Sequence, residues 1–389
     1  MTVKLVLFTR WPLDIGAPRG GVETVALALT RALASLPDME VHVLTLEKTR
    51  RDVHVFEELG ATIHRLPGSG WPQMLDVIRG PGRSRLRKYI LDLAPDVVHS
   101  HETYGLGLDP LPVPHVFTVH GFDHANIPTE RRPLAWLRAP LWRRVEAWGL
   151  ARQHYIISIT PYVRQHITPL TRARIFDIDN PIDPACFEVR RSEVSGRVFF
   201  AGWISHRKNP LTLVRAFARV VDRGIDATLH LAGEEKDPRY SAELRAAVET
   251  SGVSDRVRLL GRVAPDEIRR QLGAASVFVL PARQENAPMA ISEALAAGVP
   301  VIASNRCGMP FMVDEGKTGF LVEPDDVHGL ADRIALVLQN GQLRAATDPQ
   351  DAPGPGEPGP PLPPHHPRGG RHLRGTALPP RACGTVRRP

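Results

Sequence analysis

The feature that most constrains this chain is an alternation of short apolar runs with amphipathic helical stretches. Val3–Phe8 is apolar except for Lys4, and Val22, Val25, Ala26, Leu29 and Leu33 then recur at helical spacing. Runs at 41–46, near 61–65, and at 96–99, 115–119, 155–159 and 174–178 read as strands. Residues 84–93 and about 134–152 read as helices, and a short helix starts at Pro161. Apolar strands separated by helices predict a parallel sheet with helices over both faces.

The pattern restarts after Asn180-Pro181-Ile182-Asp183, where a polar stretch to about 196 reads as a linker. Strands are expected at 197–201, 227–232, 256–260, 276–280, 299–303 and 319–322. Helices are expected at 210–222, 239–250, 265–272, 288–297 and 326–339, with a helical turn near 309–313. The reading is two α/β domains, 1–183 and 184–340. Open sheets of this kind take ligands outside the carboxyl ends of their strands, so two of them face to face form a cleft.

Residues 341–389 break the pattern. They hold 12 of the 37 prolines, eight glycines, seven arginines and three acids, and Ala, Gly, Pro and Arg make up 32 of the 49 positions. Such a segment buries too little apolar area to offset its ordering entropy, so it is expected to be disordered. A natural Pro-rich tail and out-of-frame translation of a GC-rich gene both account for it. It carries +4 of the formal +7, and the +3 left on 340 residues argues against a nucleic-acid binder.

No apolar run approaches the roughly 18 residues of a membrane span. The opening strand is followed by Arg10 and lacks a small-residue cleavage site, so it does not read as a signal peptide. Cys186, Cys307 and Cys383 are odd in number and far apart, which supports neither a disulfide framework nor a cysteine zinc site. A reducing cytoplasm is the expected compartment.

The richest segment for chemistry is 283–303. Glu285 follows a strand in a loop that opens a helix, and Glu293 lies about one and a half turns inside that helix. One carboxylate can face a cleft at the helix N-terminus, where the first amides also bind anions or hydroxyls, and the other can face a group farther along. As bare spacing this is weak, since such pairs are common on solvated helices. His120 closes strand 115–119 at its functional end. His99, His101 and His124 lie nearby without a convincing metal-site spacing.

The segment 283–303 resembles the donor-site signature of the family 4 glycosyltransferases, retaining enzymes of the GT-B fold, with two facing Rossmann-like domains. Gly20-Gly21-Val22-Glu23 resembles that family's early Gly-Gly loop, and Val119-His120-Gly121 its loop after a central strand. Asn180-Pro181-Ile182-Asp183 resembles its interdomain element, and Gly202 through Lys208-Asn209-Pro210 its diphosphate loop. Gly308-Met309-Pro310 and Gly316 through Val322 resemble its closing motifs. The likeness covers roughly residues 3–340.

The resemblance implies an N-terminal acceptor domain, a C-terminal donor domain and a nucleotide-diphosphate sugar, UDP or GDP, as donor. Glu293 would hold the ribose hydroxyls, and Glu285 the donor sugar beside the reacting carbon. The amides of Met289 and Ala290 would meet sugar or phosphate. Lys208 would hold the diphosphate and stabilise the leaving group, while His120 would contact the donor sugar. Gly20 and Gly21 would let the backbone approach, and backbone near Gly261-Arg262-Val263 would meet the base. Glu23 reads as a first-turn acid favouring its helix. The implied mechanism is front-face attack with retention, needing neither a metal nor another cofactor. Asp177-Ile178-Asp179 matches the Asp-X-Asp pattern of metal-dependent glycosyltransferases but lies far from the donor motifs.

Three departures matter. The family's arginine after the loop glycine is Trp203 here, and Arg207 beside Lys208 is the candidate second cation. The helix with which the family normally ends, crossing back onto the first domain, falls where the Pro/Gly/Arg tail begins. Residues 131–152 hold six arginines and three tryptophans, with Leu137, Leu141, Val145 and Trp148 on one face. The plainer reading of that segment is a core-facing helix with a solvated basic face, and the other is peripheral attachment to anionic lipid at the inner face of the membrane. The rival functions are a sugar-nucleotide epimerase or phosphorylase on the same architecture, and an inactive nucleotide-sugar-binding protein.

Overall fold

Strand β1 (Val3–Phe8) shows how the first half is built. In the computed structural model, which describes residues 2–345 except 102 and 132, its side chains alternate between two apolar layers. Val6 and Phe8 pack with Leu44, Leu66, Leu86 and Ile90 on one face. Leu7 packs with Trp11, Ala26, Val43 and Ile63 on the other. A strand of period two that is apolar at both phases must be covered on both sides, so helices lie over both faces.

The half continues through α1 (Gly21–Ala34), β2 (Met39–Glu47), β3 (His54–Glu58), β4 (Ala61–Pro67), α2 (Gln73–Arg79), α3 (Pro81–Asp92), β5 (Val97–Ser100) and β6 (His115–Val119). It ends with α4 (Asp123–Thr129), α5 (Ala135–Leu150), β7 (Tyr155–Ser158), α6 (Pro161–Ile167) and β8 (Arg174–Asp177). The sheet order is β3-β4-β2-β1-β5-β6-β7-β8. The expectation of an all-parallel sheet is corrected at one edge, where β3 pairs antiparallel with β4. β3, α2 and α4 escape the sequence reading because β3 has no fully buried position, α2 buries Asp76 and Val77, and α4 buries Ile127, so none of them shows an apolar run or face.

The second half comprises β9 (Arg197–Ala201), α7 (Pro210–Asp222), β10 (Thr228–Ala232), α8 (Pro238–Thr250), β11 (Val257–Gly261) and α9 (Pro265–Ala274). It continues with β12 (Val277–Leu280), α10 (Met289–Ala296), β13 (Val301–Ser304), β14 (Gly319–Val322), α11 (Val327–Gln339) and α12 (Gly341–Ala345). Its order is β11-β10-β9-β12-β13-β14, parallel throughout. One apolar cluster fills it, from Val198 and Phe199 through Leu213, Phe217 and Phe278 to Leu330 and Val337.

Three expectations need adjustment. The stretch read as a linker is not free: Ser192 and Val194 donate their amides to the carbonyls of Gly273 and Ala274, each at 2.9 Å. The tail does not lose order at 341, because Gly341–Ala345 is helical and Arg344 reaches back to Glu193 at 2.8 Å. The remainder of the segment expected to be disordered, 346–389, lies outside the described residues. The buried face of α5 carries Trp142, Val145, Glu146 and Gly149, whereas Leu137 and Leu141 are exposed. The physical reason is Glu146, whose buried carboxylate accepts the amides of Asp123 (2.6 Å) and His124 (3.3 Å) at the start of α4 and so sets the rotation of α5.

Candidate active site

Both sheets reverse strand order beside their first strand, between β1 and β5 and between β9 and β12. These are the points where an open α/β sheet leaves a crevice at its carboxyl edge. The loops leaving β1, β6, β9 and β12 carry the motifs singled out from the sequence.

The loop after β9 is fastened by Asn209. Its buried side-chain amide donates to the carbonyls of Pro281 (3.2 Å) and Pro324 (2.6 Å), while Pro210 opens α7 with a ring that needs no hydrogen-bond partner there. This anchor holds Lys208 against Glu285, Nζ to Oε1 at 2.8 Å. Arg207 pairs with the same carboxylate oxygen, donates to the Gln284 carbonyl at 3.2 Å, and lies 3.7 Å from Glu130 of the first half. Burial disfavours the ionised form of Glu285, but Arg207, Lys208 and Lys236 outweigh it and hold the carboxyl below the usual range. Burial draws the Lys208 pKa down, and Glu285 opposes part of that effect.

Helix α10 begins at Met289 without a side-chain cap, so no capping side chain takes up the amides of Met289 and Ala290. Gly308 fixes the preceding loop by donating its amide to the Glu285 carbonyl at 2.9 Å. Glu293 is raised by burial, with Asp183 adding to the effect and Arg269 and Lys208 opposing it. Among the described residues no hydrogen bond or ion pair holds its carboxylate.

The first half meets these groups across the cleft. Asn286 donates its side-chain amide to the His120 carbonyl at 3.1 Å. A Cβ on Gly21 would lie 3.3 Å from the Met289 side chain, tighter than most such contacts, so the glycine serves close approach. Gly20 has extended backbone, and a Cβ there would meet Trp203 only at 3.9 Å. Glu23 accepts the Arg19 amide at 2.6 Å, a capping role that agrees with its reading as a first-turn acid. Arg262 turns its side chain to the Ala17 carbonyl and so bridges the two halves. Asp177 of the Asp-Ile-Asp sequence pairs with Arg164 at 2.6 Å.

His120 Nε2 lies 3.0 Å from His101 Nδ1, His101 Nε2 lies 3.1 Å from His99 Nε2, and His99 is 2.7 Å from Thr118 Oγ1. Burial lowers the His120 pKa to about 4 and that of His99 to about 3, and puts His101 well below its ordinary value. These imidazoles are neutral near pH 7 and interact through dipoles and hydrogen bonds. The sequence reading found no meaning in His99 and His101, because only the pairing of β5 with β6 makes them neighbours of His120.

The sequence model of Glycosyltransferase Family 4 matches residues 19–185, and that of Glycosyl transferases group 1 matches residues 187–350. The two matches meet at the interdomain junction and together span most of the chain. The chain belongs to family 4 of the glycosyltransferases. It is 33% identical over 150 residues to D-inositol 3-phosphate glycosyltransferase of Corynebacterium glutamicum, covering 38% of this chain and 36% of that protein. It is 37% identical over 139 residues to a GDP-mannose-dependent α-(1-6)-phosphatidylinositol monomannoside mannosyltransferase of Mycobacterium tuberculosis, covering 34% and 35%. The matched region therefore spans about a third of the length of these curated relatives. Among solved structures, Anabaena HepE in complex with UDP and glucose superimposes with a TM-score of 0.67 at 17% identity, over 90% of this chain and 94% of that one. The fold is GT-B. Within this glycosyltransferase framework the structure adds Glu130, Asn286 and the His99–His101 pair to the residues picked from the sequence. Glu130 carries no motif of its own and Asn286 is one more polar residue of the 283–303 segment; across the cleft the first lies against Arg207 and the second donates to the His120 carbonyl.

Proposed function

We propose that this chain moves a hexose-type sugar from a UDP- or GDP-linked donor to a hydroxyl of a glycan, lipid-linked or small-molecule acceptor, with retention at the anomeric carbon. The observation that carries the reading is Glu285 drawn onto Lys208 and Arg207 at the N-terminus of α10, opposite the Gly20-Gly21 loop. Two cations that share one buried carboxylate oxygen form a site prepared for an anion. An arriving diphosphate takes up Lys208 and Arg207 and leaves Glu285 to accept hydroxyls of the donor sugar. As the glycosyl bond opens, the two cations stabilise the charge growing on the leaving phosphate. The phosphate itself receives the acceptor's proton on the same face, so the step requires no metal and no dedicated base. Glu293 offers two oxygens to the ribose hydroxyls, and the amides of Met289 and Ala290 face sugar or phosphate. Both bases stay in the proposal because one relative is named for GDP-mannose and one structural neighbour holds UDP.

The acceptor side has its own feature. Leu134, Trp136 (76% exposed), Leu137 and Leu141 at α5 are exposed, as are Arg143 and Arg144, and α2, which contacts α5, adds exposed Leu75 and Ile78 after exposed Trp71. Exposed apolar and basic side chains of this kind suit an anionic lipid surface, with aromatic anchors at headgroup level. No helix among the described residues is long and apolar enough to cross a membrane.

The test is a screen of UDP-, GDP- and ADP-sugars with simple hydroxyl acceptors, reading nucleotide release and the anomeric coupling of the product. Retained configuration with full turnover in EDTA is expected. Lys208→Ala should lower kcat by about 10²–10³-fold, the scale of losing one donor to a developing anion. Donor binding without transfer would favour the inactive-binder reading, phosphate-dependent turnover a phosphorylase, and free-sugar epimerisation an epimerase.

A further inference from the structure

Position 203 is where the chain leaves the family pattern, with an indole in place of a guanidinium. The structure puts a cation back beside it. Lys236, in the loop after β10, holds its Nζ 4.5 Å from the centroid of the Trp203 ring.

This is not a chance meeting of two surface side chains. The loops after β9 and β10 continue the ladder of their strands. Gly202 donates its amide to the Ala232 carbonyl at 2.9 Å, Ile204 to Glu234 at 3.0 Å, and Lys236 to Ile204 at 3.5 Å. Gly233, at φ 157°, makes this possible, because a Cβ there would overlap the Gly202 carbonyl oxygen. Backbone pairing therefore sets residues 203 and 236 beside each other.

The pair also faces the site. The Trp203 Nε1 is the nearest atom to a Cβ built on Gly20, so the indole edge reaches the first half's Gly-Gly loop. Lys208 lies under the neighbouring Gly202, its Cδ and Cε 3.5 Å from a Cβ built there. The charge of Lys236 extends to Glu285, where it acts with Arg207 and Lys208. An ammonium seated on a ring face keeps N–H donors directed away from the ring, and the ring limits the wandering of a long side chain.

We propose that Lys236, positioned by the Trp203 ring, is a third cation of the donor-diphosphate site and replaces the arginine that the family pattern puts at position 203. The proposal rests on the donor reading above. The arrangement divides one residue's task between two loops: the aromatic ring supplies the platform and the lysine the charge.

The test is calorimetric binding of UDP, GDP and ADP to the full chain, with the matching monophosphates as controls. Lys236→Met is expected to weaken the diphosphate that binds by about tenfold, the scale of one hydrogen bond to a charged group, and the monophosphate by no more than about twofold. Lys236→Arg should stay near wild type, and adding Trp203→Arg to Lys236→Met should recover affinity. Unchanged diphosphate binding by Lys236→Met would overturn the inference, as would an equal loss for diphosphate and monophosphate. If the wild-type chain binds none of the three diphosphates, the donor reading itself fails and this inference falls with it.

Discussion

The six strands β9–β14 and the run β4-β2-β1-β5-β6-β7 have the same order, yet their interiors differ. The second half is filled by one continuous apolar cluster, and β12 and β13 are buried at every position. The first half divides into three clusters with imidazoles between them. His42 meets His64 at 3.0 Å, His115 meets Asp109 at 3.0 Å, and the His120–His101–His99 chain runs inward from the cleft. One architecture thus serves two purposes. The half with the fixed charges Lys208, Arg207 and Glu285 rests on a continuous apolar core, with His230 buried on β10. The half that faces it across the cleft has several buried imidazoles between its clusters.

The contrast can be broken most severely in the second core. Phe199 and Phe278 are fully buried and meet edge to face, with centroids 6.0 Å apart. Phe199→Ala should destabilise the chain by about 3–5 kcal/mol in denaturant titration, the usual range for a buried aromatic deletion. A loss well below 1 kcal/mol would mean that this core is not a single cooperative unit.

Acid should separate the halves in the opposite sense. Burial holds His64 and His120 at about 4 and His99 at about 3 in the folded chain. In the unfolded chain an imidazole takes up its proton near the ordinary value of about 6.5. The unfolded state therefore binds more protons below that value, so this stabilisation is complete above about pH 6.5 and is lost as pH falls towards 4. In the second half, burial lowers His206 and His230 in the same direction. Hydrogen exchange at pH 4.5 against pH 7 should show the first half opening before the second, and the reverse order would contradict the comparison.

The smallest expected effect concerns the outer faces. Sedimentation with vesicles should rise with anionic lipid content and fall with Arg143→Ala and Trp136→Ala, by about 1 kcal/mol per basic residue near the surface. Sedimentation insensitive to anionic lipid would remove the membrane role from α5 and α2.

Much of this was legible in the residues. The long strands and helices announce themselves by period, and α7 begins and ends where its pattern does, Pro210 to Asp222. Glu285, Lys208 and Arg207 were identifiable because a loop motif brings them into one argument, and the structure places all three in contact. The edge strand β3 was not legible, since its half-exposed residues form no apolar run. Nor were partners that only tertiary closure supplies. Glu130 reads as one more surface acid, Lys236 as one more solvated lysine, and His99 as an alternating residue of a buried strand. The face of α5 was misread because Glu146, a charged residue in the sequence, lies inside the fold as a cap for a neighbouring helix.

The docked stretch after β8 has a mechanical consequence. Among the described residues the main chain passes from one sheet to the other once, and from Pro184 onward it is held to the second half, with Cys186 buried and Ser192 and Val194 bonded to the end of α9. What remains between the two bodies is Asp179 to Asp183, since Ile178 still donates its amide to the Ser158 carbonyl at 3.1 Å, and even this is pinned at its far end. Asp183 lies 3.7 Å from Arg31 of α1 and 3.9 Å from Arg269 of α9. Among the described residues the two halves are therefore jointed like a pair of tongs with one short pivot. Within them, widening or narrowing of the jaws is absorbed as torsion in those few residues, which makes Asn180-Pro181-Ile182-Asp183 the stretch whose stiffness sets how freely the two halves turn.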